Sequence, residues 1–188
     1  MIIVLLGASG SGKSTIENEL NKHYGFQKIV SYTTREPRNK EENGKDYYFV
    51  DNKTFTAMKN ENILAEYDEY SQNRLYGTLK TDYTNDNKIV VLTPNGLRHL
   101  KMSCKNADIF TVLVNANLGT RIKRYIDRRG VDKFNYDDKN EIFSRVERDF
   151  GMFLGVEKEV DLVVNNDEGV DINDVVGKIL TSCKSHEK

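Results

Sequence analysis

A parallel β-sheet flanked by α-helices, an α/β fold, is the architecture this chain encodes. Continuous β-branched and aliphatic runs recur at Ile2-Ile3-Val4-Leu5-Leu6, Ile89-Val90-Val91-Leu92, Ile109-Phe110-Thr111-Val112-Leu113-Val114 and Leu162-Val163-Val164. Such runs suit strands buried on both faces of a sheet. Between them lie helical patterns, and strands alternating with helices argue for parallel βαβ units.

In chain order, the first strand, Ile2 to Leu6, runs into a glycine-rich turn and then a helical stretch from Ser14 to His23. Ser31 to about Thr78 breaks the rhythm: Arg35-Glu36-Pro37-Arg38 and Glu42-Asn43-Gly44-Lys45 are turn-rich, and Asp46-Tyr47-Tyr48-Phe49-Val50 is a short aromatic segment. This stretch reads as an inserted α+β lobe. The strand at Ile89 is followed by a helix from Pro94 to Cys104, for which Thr93 and Pro94 form an N-cap and first-turn pair. The strand at Ile109 leads to a helix over Leu118 to Arg129, ended by Gly130. Gly130 to Asp138 is a polar linker, a long helix runs from about Asp137 to Val156, and a last one lies near Val170 to Cys183.

Composition limits what the chain can do. At 188 residues one domain is expected. Lys and Arg (28) nearly cancel Asp and Glu (29), so no global basic field exists to hold a nucleic-acid backbone, and any anion binding must be local. Cys104 and Cys183 have no C-x-x-C spacing or zinc-ligand partner, so neither a disulfide framework nor a metal site is indicated, and a reducing cytoplasm fits best. The opening apolar run is too short for a signal-peptide core or a membrane span.

Gly7-Ala8-Ser9-Gly10-Ser11-Gly12-Lys13-Ser14 fits G-x-x-x-x-G-K-[ST], with a buried strand before it and a helix after it. Glycines let successive backbone N–H groups turn inward onto phosphate oxygens, and the helix N-terminus adds partial positive charge. Lys13 can then reach the β- and γ-phosphates of a nucleoside triphosphate, and Ser14 can ligate Mg²⁺. Thr15 either packs on the helix or contacts the adenine side. This loop specifies a nucleoside triphosphate and a P-loop NTPase fold, but leaves kinase, switch, motor and transporter open.

Arg35 and Arg38, spaced across Pro37, can offer forked donors to a phosphate monoester, and Tyr47 and Tyr76 add hydroxyls without charge. A carboxylate such as Glu66 can accept both N1–H and the 2-amino group of guanine, whereas adenine presents an acceptor at N1 and would leave unpaired buried groups costing about 1 to 3 kcal/mol each. Otherwise Glu66 is a solvated strand carboxylate and the arginines are turn residues.

Ser31-Tyr32-Thr33-Thr34-Arg35-Glu36-Pro37-Arg38, Asn43-Gly44-Lys45-Asp46-Tyr47, Glu66 and Tyr76-Gly77-Thr78, in this order after the phosphate loop, resemble the acceptor-binding half of the guanylate kinase family. The resemblance extends to Asp161-Leu162-Val163-Val164-Asn165 and so covers nearly the whole chain. It implies an ATP-dependent, Mg²⁺-dependent kinase making GDP from GMP, and leaves open whether dGMP is a further acceptor. By that resemblance Arg35, Arg38, Tyr47 and Tyr76 hold the acceptor phosphate, Ser31, Glu66 and Thr78 recognise its base, and Asn165 contacts the adenine of ATP. The chain departs from the family at Leu92-Thr93-Pro94-Asn95-Gly96, where Thr93 replaces an aspartate used near guanine and Val91 an expected acid. That departure leaves open a related P-loop kinase with another phosphorylated acceptor.

Arg121, Arg124 and Arg128 share one helical face, and Arg145 and Arg148 repeat the three-residue spacing in the next helix. Arginine contacts to a transferring phosphoryl group can be worth about 10³ to 10⁵ in rate. The resemblance implies a lid in which Arg128 or Arg129, together with Arg145, meets the triphosphate. The alternative is a surface helix pair whose arginines are balanced by Asp127, Glu141, Glu147 and Asp149.

The expectation is one guanylate-kinase-like domain over 1–188. Its core comprises 1–30, 79–129 and 155–188, its acceptor lobe 31–78 and its helical lid 130–154. It would act in the cytoplasm as a monomer or homodimer, with no nucleic acid or membrane as partner. Two readings from other classes stand beside it: a non-catalytic guanylate-kinase-like binding module, and a P-loop hydrolase or switch, which has no use for Arg35, Arg38 and Tyr47.

Overall fold

A computed structural model describes residues 1–38, 41–71, 74–84, 87–130 and 134–186. The parts of the Gly130 to Asp138 linker at 131–133 lie outside the described residues. Two sheets are present among the described residues. The first has five strands, β1 (Ile2–Leu6), β2 (Gln27–Lys28), β7 (Lys88–Val91), β8 (Ile109–Asn115) and β9 (Leu162–Asn165), in the order β2-β7-β1-β8-β9. Every residue of β1 is buried, as its unbroken apolar run requires. The pairs β2/β7 and β8/β9 are parallel.

The chain divides into two compact units, one of Met1–Val4 with Gly25–Ile109, the other of Leu5–Tyr24 with Phe110 onward. The first unit contains the second sheet, built from β3 (Tyr32–Thr33), β4 (Tyr48–Phe49), β5 (Leu64–Ser71) and β6 (Arg74–Leu79) in the order β4-β3-β6-β5. Helix α2 (Asn52–Asn60) starts where the Asp51 carboxylate accepts the Thr54 N–H at 2.7 Å. Its Phe55 and Met58 join Leu64 in a small core closed by Tyr32, Val50, Tyr67, Leu75 and Leu79. Helix α3 (Pro94–Ser103) packs on β5 and is capped by Thr93, whose hydroxyl accepts the Gly96 N–H at 3.0 Å.

In the second unit, α1 (Lys13–Tyr24) follows the glycine-rich loop, α4 (Leu118–Arg129) is capped by Asn117, and α5 (Tyr136–Phe153) opens with a capping box of Asn135 and Asp138. Helix α5 stops three residues short of Val156, because Leu154 turns extended and Gly155 takes a left-handed φ of 81°. Helix α6 (Ile172–His186) buries Val175, Val176, Ile179 and Cys183 and packs on α1 and β9. Strand β9 begins at Leu162 because the Asp161 carboxylate is committed to Thr111, accepting its N–H at 2.8 Å and its hydroxyl at 2.6 Å.

Candidate active site

The chemistry-bearing residues fall into two groups, one in each unit. In the second unit the chain leaves β1 and wraps through Gly7, Gly10 and Gly12, whose φ values of 148°, 83° and 98° side chains rarely adopt. A Cβ on Gly10 would lie 2.9 Å from the Arg121 carbonyl oxygen, so the loop's path demands glycine on steric grounds as well. Helix α1 starts at once, with the Thr15 and Ile16 N–H groups both donating to the Gly12 carbonyl at 3.1 Å. Ser11 Oγ is buried without a partner among the described residues. A glycine-rich loop at a helix N-terminus, with an unsatisfied buried hydroxyl, fits a polyphosphate.

Lys13 donates from Nζ to the carbonyl oxygens of Gly7 at 2.6 Å and Ala8 at 3.0 Å. Burial lowers its pKa to about 8, helped by the charges of Arg121 and Arg128 and opposed by Asp149. Ser14 and Thr15 are both exposed at the start of α1.

The loop is held from outside by Asp149, Arg121, Arg124 and Asn166. Asp149, 1% exposed, accepts the Ser9 N–H at 2.8 Å and pairs with Arg121 at 2.6 Å. Arg121 Nε also donates to the Ser9 carbonyl at 2.8 Å, and Arg124 to the Gly10 carbonyl at 3.1 Å. Asn166 is buried and donates to the Ser11 carbonyl at 2.8 Å, whereas its neighbour Asn165 is exposed at the end of β9. Of the arginines expected in a lid, Arg145 reaches Ser9 Oγ at 3.1 Å while a salt bridge to Glu141 at 2.5 Å steadies it. Arg128 lines a small cavity with Ser9, Gly10, Arg121, Tyr125 and Arg145. Arg129 turns instead to Asp138 at 2.5 Å. Arg148 is half-buried on α5.

The first unit carries a base-reading cluster and a phosphate-reading cluster. Glu66 on β5 sits opposite Thr78 on β6 and is 4% exposed. Thr78 Oγ1 donates to Glu66 Oε1 at 2.8 Å, so the contact of 2.7 Å between Thr78 Oγ1 and the Tyr83 hydroxyl has Tyr83 as donor. Burial pushes the Glu66 carboxyl up to about 8, with the nearby Asp68 carboxylate adding to the rise and the Thr78 hydrogen bond opposing it. Burial, with the Glu66 charge, also raises Tyr83 well above its usual range. On the far side of Glu66, a Cβ at Gly96 would come within 2.7 Å of Oε2.

Arg35 is 8% exposed and grips Glu41 with both arms of its fork, at 2.8 and 3.0 Å. Its guanidinium stands 5.1 Å from the Tyr47 ring centroid and 5.6 Å from that of Phe49, and Tyr76 packs edge-on against Tyr47 at 5.8 Å. Arg35 Nε is buried without a partner among the described residues, a donor suited to an oxyanion. Arg38 is exposed and uses its backbone N–H on Glu41 at 2.7 Å. Ser31 is half-buried, and its carbonyl accepts the Tyr48 N–H at 2.9 Å. The structure thus brings Glu66 and Thr78 together, and Arg35, Tyr47 and Tyr76 together.

A mostly parallel sheet whose first strand runs through a glycine-rich loop into a helix defines a P-loop NTPase fold. Comparison with known proteins narrows the class. The guanylate kinase family model matches residues 1–182. A guanylate kinase of Lactobacillus delbrueckii subsp. bulgaricus is 48% identical over 80 residues, spanning 42% of this chain and 39% of that protein. One from Blochmanniella floridana is 30% identical over 171 residues, covering 88% of this chain and 78% of that protein. The crystal structure of guanylate kinase from Anaplasma phagocytophilum superposes with a TM-score of 0.72 over 98% of this chain and 85% of that one, at 20% identity. The chain belongs to the guanylate kinase family.

Proposed function

We propose that the chain transfers the γ-phosphoryl group of ATP to GMP, giving ADP and GDP. The observation that carries this reading is Glu66, a carboxylate buried on β5 and held from one side by Thr78, as a reader of guanine's N1–H and 2-amino donors requires. An acceptor phosphate oxygen is already a nucleophile, so no general base is needed. It attacks the γ-phosphorus, the bond to the β,γ-bridging oxygen breaks, and ADP leaves with the electron pair.

The loop from Gly7 to Ser14, with Lys13 and Thr15, binds ATP in this reading. The exposed Ser14 hydroxyl would hold Mg²⁺, which supplies charge neutralisation on the phosphates when bound. Arg35, Arg38, Tyr47 and Tyr76 would hold the acceptor phosphate, with Ser31, Glu66 and Thr78 at its base. Asn165 stays the candidate for adenine, while Asn166 braces the loop. Arg145 and Arg128 are the arginines for the developing charge: Arg128 bears electrostatically on Lys13, whereas Arg129 is engaged by Asp138. The division into core, acceptor lobe (31–78) and lid (130–154), action in the cytoplasm and use of dGMP belong to the same proposal. Among the described residues no helix is long and apolar enough to cross a membrane.

The test is a coupled ADP-release assay over GMP, dGMP, AMP, CMP and dTMP, with Lys13→Ala and Glu66→Ala beside the wild type. GMP and dGMP should lead the panel, Lys13→Ala should abolish turnover, and Glu66→Ala should erase the guanine preference. Equal use of all acceptors, or none, would end the reading.

A further inference from the structure

Thr93 breaks the acidic pattern expected at the turn before α3, and its hydroxyl shows where the missing charge has gone. Thr93 Oγ1 accepts the Gly96 N–H at 3.0 Å and donates its one proton to Asp68 Oδ2 at 2.5 Å. Asp68 lies two residues beyond Glu66 on β5, and the pairing there is regular: Glu66 faces Thr78, Tyr67 faces Gly77 and Asp68 faces Tyr76. Alternation along a strand therefore puts the Glu66 and Asp68 carboxylates on one face, about 7 Å apart at the backbone. Gly96, whose N–H holds Thr93, is also the residue against Glu66 Oε2. Glu66, Asp68, Thr93 and Gly96 form one contiguous patch.

Guanine presents three donor hydrogens on this edge, one at N1 and two on the 2-amino group. The two oxygens of Glu66 can take N1–H and one amino hydrogen, which leaves the second amino hydrogen in need of an acceptor. Asp68 Oδ1 has no protein partner among the described residues, and the side chain is half-buried beside Glu66. We infer that Asp68 is a specificity-determining residue for the acceptor base, receiving the second 2-amino hydrogen, with Thr93 as the residue that positions it. The acid is moved from the turn before α3 onto β5 instead of being lost. This inference rests on the GMP reading above.

The experiment compares kcat/KM for GMP with that for IMP, whose base lacks the 2-amino group, in the wild type, in Asp68→Ala, and in the double variant Asp68→Ala with Thr93→Asp. A charge-assisted hydrogen bond lost from a shielded site should lower the GMP to IMP ratio about ten- to a hundred-fold in Asp68→Ala. KM for ATP should stay within two-fold. The double variant, with the carboxylate returned to the turn, should recover most of the ratio, a result that a purely structural role for Asp68 would not give. Asp68→Asn, whose amide oxygen keeps the contact with Thr93 and whose N–H₂ then faces the 2-amino donors, should shift the ratio in the same direction by at least as much. An unchanged ratio in Asp68→Ala, or no recovery in the double variant, overturns the inference while leaving GMP phosphorylation standing. A wild type that does not phosphorylate GMP takes both down.

Discussion

Replacing Glu66 by glutamine separates what this side chain does for the nucleotide from what it does to the fold. Glutamine keeps an oxygen to accept the Thr78 hydroxyl but carries no charge. The folded chain holds the Glu66 carboxyl at about 8 against an ordinary 4.5, chiefly through burial. A native state that retains a proton the unfolded chain releases is most stable below pH 4.5, and that stability is lost as pH rises through 8. At about 1.4 kcal/mol per pH unit, the loss at pH 7 reaches about 3 kcal/mol given those two limits. Glu66→Gln removes this dependence, so it should stabilise the chain by about 2 to 3 kcal/mol at pH 7 and by less than about 1 kcal/mol at pH 5. The same change sets an amide N–H₂ against guanine's donors and should lower kcat/KM for GMP by about a hundred-fold or more. Urea unfolding at both pH values, paired with the ADP-release assay, measures the two effects. A variant no more stable than wild type at pH 7 would refute the burial argument, and one with wild-type GMP turnover would refute Glu66 as the base reader.

The two nucleotide sites should respond to pH in opposite directions: from pH 7 to 9 Glu66 ionises and KM for GMP falls, while Lys13, held at about 8, loses its charge and KM for ATP rises. Steady-state kinetics with each substrate varied in turn would show parallel trends if either assignment were wrong. Asp149→Ala strips Ser9 and Arg121 of a buried partner, and should cost about 3 to 5 kcal/mol in urea unfolding and raise KM for ATP. Wild-type stability would make that pair incidental. Gly96→Ala drives a methyl against Glu66 Oε2, and should depress kcat/KM for GMP about ten-fold or more with KM for ATP unchanged. Equal effects on both substrates would point to misfolding.

Helix α4 runs over Leu118–Arg129, as its pattern predicts, because its start and stop are local: Asn117 accepts the Thr120 N–H at 2.8 Å, and Gly130 follows with a φ of 87°. The Thr93-Pro94 start of α3 and the glycine-rich loop before α1 were legible for the same reason, since capping and turn geometry involve residues within one helical turn. Asp149 reads as a surface ion because its partner Ser9 lies 140 residues away, and only the fold makes it a buried brace of the loop. Asn165 and Asn166 are alike by composition, yet the second alone is turned onto Ser11. Asp68 carries no motif at all, and acquires meaning from the hydroxyl of Thr93, 25 residues on. Local patterns thus determined the elements, the phosphate loop and the types of residue available to bind nucleotides. Which carboxylates are buried, which keep a proton and which arginines bear on Lys13 were decided by the tertiary structure, because desolvation and charge pairing depend on distance in space and not along the chain.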